Sequence, residues 1–382
     1  MSERSFGLDC MRALAALAVV LAHALFIIAP HHANAITPGV ILATLGVEAF
    51  FVLSGFLIGG SLLEVAAGKR PAFAFWARRC RRTLPNYYLF LAINFLLFLT
   101  ITPERLPSAA YLVFAQSLAS PATSYFFAES WSLAVEEWFY LCAALAAFFC
   151  TRLSPRLSPQ RGARVMLFLL VIIVVITPIV RALWTISQSF SWDDGLRKLT
   201  FFRFDALALG VLAAAMHLRW RDAWARHAWL YASAGVVLLA GIVPRIAELV
   251  LSQQLLAPVT QPSVAYAGSA LLSAVGVAFV CLLPTASAQR PTANAKFNAI
   301  VTHVASWSYS IYLAHVPLVL ILLFVRPQVG ALNSPLDVAL LLAWFIATLL
   351  CARLTYRYVE RRFYAPSVAY VGEAQTQILA SK

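Results

Sequence analysis

Charged residues are scarce in this chain. Asp, Glu, Lys and Arg together make up 12% of its 382 residues, against about 25% in a typical soluble domain. Hydrophobic residues reach 62% and the mean hydropathy is +0.80, which excludes a water-soluble globular domain of this size. Acidic residues are the scarcer sign, 16 against 29 Lys and Arg, so the net charge is +13. The composition therefore indicates an integral membrane protein with surplus positive charge.

Neither the cysteines nor internal repeats indicate a metal site or a division into domains. The six cysteines have no metal-ligand spacing, and we interpret them as small packing residues. No repeat, linker or low-complexity tract divides the chain. We therefore predict one membrane domain over residues 1–365, followed by a disordered cytoplasmic tail over residues 366–382. Many secondary transporters contain internal repeats, so their absence weighs weakly against a transporter.

Apolar segments long enough to cross a bilayer recur along the whole chain. We predict an all-α integral membrane protein of about ten transmembrane helices around a central polar cavity. The predicted spans are residues 8–29, 39–63, 84–101, 130–150, 165–184, 200–217, 228–251, 263–283, 304–325 and 336–355.

The positions of Lys and Arg predict the orientation. With a cytoplasmic amino terminus, the inside loops and tails hold 20 of these residues, whereas the outside loops hold four: Arg105, Arg197, Lys198 and Arg326. This imbalance places both termini in the cytoplasm and explains the basic charge without a nucleic-acid partner. The alternative of a signal peptide ending at Ala33-Asn34-Ala35 is disfavoured, because Asp9 and Arg12 interrupt its apolar flank.

Arg12 and His23 lie on one face of the first span. Eleven residues at about 100° each make about three full turns, so both side chains are expected to share one groove. They are about 16 Å apart along the helix axis, which predicts Arg12 near one membrane surface and His23 about halfway across. An ionisable residue inside a span is costly unless it faces a polar cavity or a partner, so both are candidate functional residues.

The carboxylates of Glu48, Glu136 and Glu137 also fall inside predicted spans. Ser132, Glu136 and Tyr140 form one stripe at i, i+4 spacing, so we predict that Glu136 faces a cavity and Glu137 a structural neighbour. Glu48 lies midway along the second span. It is either paired to a neighbouring helix or functional, whereas the nearby Ser54 and Gly55 are interpreted as helix-packing residues.

Two further polar groups occur late in the chain. Arg203 and Asp205 are two residues apart and diverge on a helix, so each needs a partner elsewhere and structural ion pairing is the leading interpretation. His315 lies in the middle of a span with Tyr312 three residues before it. This histidine either lines a cavity or is satisfied by the tyrosine hydroxyl.

A predicted inside loop, residues 76–85, concentrates positive charge. Four of the five residues from 78 to 82 are arginine: Arg78, Arg79, Arg81 and Arg82. Guanidinium groups bind phosphate in a bidentate manner, so the loop is a candidate anion site. The alternative is membrane anchoring or contact with anionic lipid headgroups.

These motifs together resemble the membrane-bound acyltransferase family 3, and they run in family order from about residue 5 to residue 365. The departures are mild, since Glu48 stands where the family often has Asp and Trp138 where Gln is common. The resemblance is carried by Arg12 with His23, Gly46 to Ile58, Arg78, Arg79 and Arg82 before Leu84-Pro85, Ser132 to Tyr140, Arg203 to Asp205 before Gly210, Tyr309 to His315, and Tyr358 to Glu360 before Phe363.

The resemblance implies a bacterial enzyme of the cytoplasmic (inner) membrane. Such enzymes move an acyl group, usually acetyl, from cytosolic acetyl-CoA to a hydroxyl of an envelope glycan such as O-antigen or exopolysaccharide, or of a lipid-linked saccharide. An antibiotic-like small molecule is the next acceptor class, and peptidoglycan the third. Some relatives carry an extra extracytoplasmic domain, for which we expect no room in this chain.

The residue types then predict roles in such a site. Neutral imidazole is a base near pH 7, so His23 is assigned as general base or acyl carrier, and direct transfer and an acyl-histidine intermediate both remain open. No metal is expected. The other assignments are Arg12 as a donor-orienting or oxyanion-stabilising cation, Glu136 as a catalytic residue on the acceptor side, Arg78, Arg79 and Arg82 as the acetyl-CoA site, and Asp205, Tyr309 and His315 as acceptor-binding residues.

Two other classes need the same kinds of residue. A proton-coupled transporter also requires buried Arg, His, Glu and Asp, and would move a solute without consuming acetyl-CoA. A non-catalytic glycan-binding or assembly subunit would need neither the arginine segment nor His23.

Overall fold

The computed structural model describes residues 5–101, 107–118, 120, 126–152, 159–252 and 258–364. These residues are mainly helical, and no β-strand occurs among them. The helices are α1 (Phe6–Ile28), α2 (Ile36–Ala66), α3 (Ala72–Ile101), α4 (Ser130–Arg152), α5 (Pro159–Ser187), α6 (Phe204–Arg219), α7 (Arg221–Arg226), α8 (Ala228–Leu251), α9 (Pro262–Ala288), α10 (Ala295–Val325), α11 (Pro335–Thr355) and α12 (Arg361–Tyr364).

Within the described part of the chain, ten helices are long and apolar enough to cross a membrane, all but the short α7 and α12. The predicted all-α membrane fold is therefore confirmed. The predicted tail, residues 366–382, lies outside the described residues. We call the end of the bundle where α1 begins the N face and the opposite end the distal face.

Helix α2 is the centre of the bundle. In its most apolar stretch 67% of the residues are buried, against 17% in α5, whose side chains face outward. Close packing of α2 on α6 depends on glycine at two facing positions. A Cβ atom on Gly55 would lie 2.0 Å from the carbonyl oxygen of Leu207, and one on Gly210 would lie 2.2 Å from that of Val52. The predicted packing role of Gly55 is confirmed.

The arginine segment differs from its prediction. Residues 76–85, predicted as a loop, belong to α3, which begins at Ala72 and continues through Pro85. The physical reason is that Ala, Arg and Leu are strong helix formers, so a high charge density interrupts the hydropathy but not the helix. Consequently the arginines point in different directions around one helix, about 100° apart per residue.

Arg12 and His23 lie far apart along α1. Arg12 lies six residues after the start of α1, and His23 lies five residues before its end. At 1.5 Å per residue, His23 is about 8 Å from the distal end of the helix, and its depth halfway across the membrane stays a prediction. The two side chains are thus near opposite ends of α1.

Candidate active site

A polar cavity lies between α1, α2, α3, α4 and α10. About 740 Å³ of space that no protein atom fills, part of it open to solvent, lies between these helices, which confirms the predicted central polar cavity. Its apolar walls come mainly from α2. Its polar lining residues are Arg12, Ser54, Arg79, Arg82, Thr83, Ser132, Glu136, Tyr140, Ser308, Tyr309 and Tyr312.

Three arginines from two helices line this cavity. Arg12 on α1 and Arg79 and Arg82 on α3 are half-buried on its wall. The guanidinium of Arg79 lies 5.7 Å from the ring centroid of Tyr140, within the range of a cation–π contact. Arg78 is exposed and is not on the wall. Of the three residues predicted to bind acetyl-CoA, the structure thus brings two to the cavity, and the role of Arg78 stays a prediction.

Glu136 faces the cavity, as the helical stripe predicted. Its carboxylate accepts hydrogen bonds from the Ser54 hydroxyl (2.8 Å) and the Tyr140 hydroxyl (3.0 Å). Ser54 was interpreted as a packing residue, but the structure shows it on the cavity wall with a polar partner. Glu137 is buried and is not among the lining residues. The predicted division between the two adjacent carboxylates is confirmed.

Tyr312 closes the distal side of the cavity. Its hydroxyl lies 2.6 Å from the Ser132 hydroxyl and donates to the carbonyl oxygen of Glu129 at 3.1 Å. Its ring centroid lies 5.6 Å from that of His315, which in turn lies 4.5 Å from that of His23. His23 is not a lining residue. The groove expected to join Arg12 to His23 is therefore interrupted by Tyr312 and His315.

The two histidines have different hydrogen-bonding states. The Nδ1 atom of His23 is 2.9 Å from the carbonyl oxygen of Val19. Since a carbonyl only accepts, Nδ1 carries the proton and the lone pair of a neutral ring is on Nε2. His315 is fully buried, and neither ring nitrogen has a hydrogen-bond partner among the described residues. The alternative in which the Tyr312 hydroxyl satisfies this ring is therefore excluded. His315 is not among the residues that line the cavity either, so its acceptor-binding role stays a prediction.

Asp205 belongs to a separate cluster of buried charges. Its carboxylate lies 3.3 Å from the guanidinium of Arg181 and accepts from the Ser273 hydroxyl at 2.6 Å. Arg203 pairs with Glu48. None of these four charged side chains is more than 1% exposed or lines the cavity. The expectation that Arg203 and Asp205 each have a structural ion-pair partner elsewhere is confirmed. Acceptor binding by Asp205 stays a prediction.

Sequence reasoning missed Arg197, which the fold brings toward the histidines. It lies in the turn Trp192–Arg197, is ion-paired to Asp193 at 2.5 Å, and stacks 5.3 Å from the ring centroid of Trp131. Its charge acts on His23. Burial alone would raise the pKa of Asp193, but Arg197 and Lys198 hold it at about 2. The sequence placed Arg197 in an outside loop and carried no signal for this contact.

Glu129 was missed as well. It precedes α4 and is 4% exposed, and neither carboxylate oxygen has a hydrogen-bond partner among the described residues. Burial raises its pKa to about 8, so the neutral acid predominates near pH 7. Its backbone carbonyl anchors Tyr312. The sequence did indicate Glu129 as a candidate, because an ionisable residue directly before an apolar span is often functional.

These features define a class: a multi-pass membrane protein whose interior holds an arginine-lined cavity next to a histidine pair. Comparison with known proteins then gives the family. A profile described as an acyltransferase domain matches residues 5–357, and the chain belongs to this acyltransferase 3 family.

Two relatives illustrate the relationship. The O-acetyltransferase OatA of Staphylococcus aureus (strain NCTC 8325 / PS 47) is 27% identical over 377 residues, covering 93% of this chain and 56% of OatA. YrhL of Bacillus subtilis (strain 168), for which peptidoglycan O-acetyltransferase activity is proposed, is 32% identical over 162 residues, covering 35% of this chain and 22% of YrhL. The chain thus spans about half the length of OatA. No solved structure matches it.

Proposed function

We propose that this protein is a membrane O-acyltransferase that moves an acyl group, most simply acetyl, from cytosolic acyl-CoA to a hydroxyl of an envelope glycan. The observation that carries the proposal is the convergence of Arg12, Arg79 and Arg82 on one cavity whose distal wall contacts His315 and, through it, His23. Family membership supports acyl transfer, and the names of both relatives support a hydroxyl acceptor.

The arginines suit the donor because coenzyme A carries phosphates. Guanidinium groups bind phosphate through charge-assisted, bidentate hydrogen bonds. Arg79 and Arg82 lie near the start of α3, at the N face, which the positive-inside rule assigns to the cytoplasm of a bacterial inner membrane. Arg12, on the same wall, would orient the thioester or stabilise the oxyanion that develops on its carbonyl.

The histidine pair suits the acceptor. The acceptor hydroxyl would transfer its proton to Nε2 of His23 while its oxygen attacks the thioester carbon. The carbon–sulfur bond then breaks, and the coenzyme A thiolate leaves and takes up a proton. In the acyl-carrier variant, Nε2 attacks the thioester carbon, the carbon–sulfur bond breaks, and the coenzyme A thiolate leaves. The acceptor hydroxyl then attacks the acyl group on His23, the carbon–nitrogen bond breaks, and the hydroxyl proton passes to the freed Nε2. In either route Tyr312 must move or the cavity must extend past it, because Tyr312 separates the arginine-lined cavity from His23.

The acceptor is proposed as an envelope polysaccharide or its lipid-linked precursor. One relative is named for peptidoglycan, which raises peptidoglycan above an antibiotic-like small molecule as the second candidate. Acetylation assays should therefore offer both glycans to the same membranes.

The donor assignment is tested by titrating acetyl-CoA into purified protein. Losing one charge-assisted contact costs about 1.5–3 kcal/mol, so Arg79→Ala and Arg82→Ala should each weaken binding about ten- to a hundredfold. Arg81→Ala is the matched control, because it removes the same charge from the same helix at an exposed position, where the guanidinium donates to the carbonyl oxygen of Ala77 in that helix at 3.4 Å.

Equal affinity in Arg79→Ala, Arg82→Ala and Arg81→Ala would reject the donor site. Arg78→Ala belongs in the same series. Binding weakened by this exposed residue as well would show that the donor extends beyond the cavity.

A further inference from the structure

Glu360 is a buried carboxylate to which the proposed mechanism gives no role. It is the last residue of the turn Tyr356–Glu360, which has π-helical hydrogen bonding and joins α11 to α12. Glu360 is 2% exposed, whereas Tyr358 in the same turn is 54% exposed. The wider turn therefore directs this one side chain into the bundle, and irregular π-turns of this kind are frequent at functional sites.

The carboxylate is fixed by a short hydrogen-bond relay. Glu360 accepts from the Ser310 hydroxyl at 3.0 Å, and Ser310 accepts from the side-chain amide of Asn86 at 2.9 Å. Ser310 and Asn86 are both fully buried. The relay joins the end of α11 to α10 and α3 where those helices reach the cavity, since Tyr309 and Thr83 are lining residues and are themselves hydrogen-bonded at 2.9 Å.

Arg82 lies one helical turn before Asn86 on α3, so the relay places Glu360 beside the face of α3 that carries Arg82. Arg12, which also lies 4.0 Å from Asp9, is the second cation in the electrostatic surroundings of Glu360. Both line the cavity, and they come from different helices. A buried carboxylate requires a compensating cation, so one negative charge behind the wall attracts both guanidinium groups. This arrangement would reduce their mutual repulsion and limit their side-chain freedom before a donor arrives.

We propose that Glu360 is a positioning residue that holds Arg82 and Arg12 in place for an anionic acyl donor, an inference that rests on the proposed function. Glu360 does not itself line the cavity. Its effect is therefore on donor affinity. A preorganised pair of cations loses less conformational entropy when phosphate binds.

The test measures the KM for acetyl-CoA and kcat in membranes with matched protein levels, together with thermal stability in detergent. Glu360→Gln keeps the size and the acceptor oxygen for Ser310 but removes the charge. It should raise KM about tenfold, change kcat less than about threefold and leave the melting temperature near wild type. Glu360→Asp, which restores the charge, should recover most of the affinity.

Glu64→Gln is the matched control. Glu64 is ion-paired to Arg70 at 2.8 Å near the N face but is 44% exposed and away from the cavity, so its KM should equal that of wild type. If Arg82→Ala weakens donor binding while Glu360→Gln does not, the positioning role is wrong and the proposed function stands. If neither weakens it, the donor site itself is wrong.

Should Glu360→Gln fail to fold, Ser310→Ala and Glu360→Asp decide the question. Both retain the charge but loosen or shift the carboxylate that the relay holds, so a positioning role predicts a rise in the KM for acetyl-CoA of a few-fold in each variant, with kcat nearly unchanged. A wild-type KM in both variants would show that the placement of this carboxylate does not affect donor binding, and the positioning role would be wrong.

Discussion

Two groups of charges lie inside this bundle, and they differ in what surrounds them. One group consists of two buried ion pairs, Arg181 with Asp205 and Arg203 with Glu48, whose side chains are at most 1% exposed. Arg12, Arg79 and Arg82 instead border open space, and the Arg12 side chain is 18% exposed. A charge inside a span is therefore a candidate for direct contact with a ligand only when the fold leaves room beside it.

The largest effect should come from His23. His23→Ala removes the proposed base or acyl carrier, and general-base catalysis contributes about 10²–10⁴-fold. We expect turnover in membranes to fall by that factor with normal protein levels. His303→Ala is the control, since this exposed ring stacks on Trp307 with centroids 5.4 Å apart, away from the cavity. Retention of more than about a tenth of wild-type turnover would remove His23 from the mechanism.

Radiolabelled acetyl-CoA without acceptor separates the two routes through His23. An acyl-histidine intermediate should leave label on the wild-type protein and none on His23→Ala. Direct transfer should leave neither protein labelled.

The paired cluster should respond in stability instead. Glu48→Ala leaves Arg203 buried without its counter-charge, and breaking a buried pair in this way costs about 3–5 kcal/mol. We expect a large loss of folded protein in detergent, measured by size-exclusion chromatography. The double variant Glu48→Leu with Arg203→Met removes both charges and should recover much of it. Normal folding of Glu48→Ala would show that the pair has no structural importance.

The comparison also explains what the sequence could predict. Ten spans, the ion pairs of Arg203 and Asp205 and the inward face of Glu136 follow from hydropathy and helical periodicity, which are local properties. The boundary of α3 was predicted ten or more residues too late, because hydropathy marks the membrane rather than the end of a helix. The arginines that predicted a loop are helix formers in a long regular helix.

Contacts between segments that are far apart in the chain could not be predicted from the sequence. The position of Tyr312 between the cavity and His23 depends on how α10 packs on α1 and α4. Arg197 stacks on Trp131 of α4 only because the turn Trp192–Arg197 packs against that helix. Periodicity showed that Arg12 and His23 share a face of α1, but it could not show which neighbouring side chain separates them.

The smallest expected effect concerns a third kind of charge pair, at the surface next to the histidines. Asp193 is 18% exposed and its pKa is about 2, below the ordinary value of 3.8. A carboxylate whose pKa is lowered on folding stabilises the fold above its unfolded pKa, and that stabilisation, about 2 kcal/mol here, is lost as the pH falls from about 4 to 2.

Asp193→Asn should therefore lower the melting temperature at pH 7, and its difference from wild type should shrink between pH 4 and 2. The loss should also appear locally, as faster hydrogen exchange in the turn Trp192–Arg197, because the ion pairs to Arg197 and Lys198 hold that turn. Arg197 would then lose its fixed place over Trp131, so turnover should fall more than donor affinity. A melting-temperature difference that is the same at pH 7 and at pH 2 would contradict the ion-pair account. It would show that the ion pairs of Asp193 do not stabilise the fold.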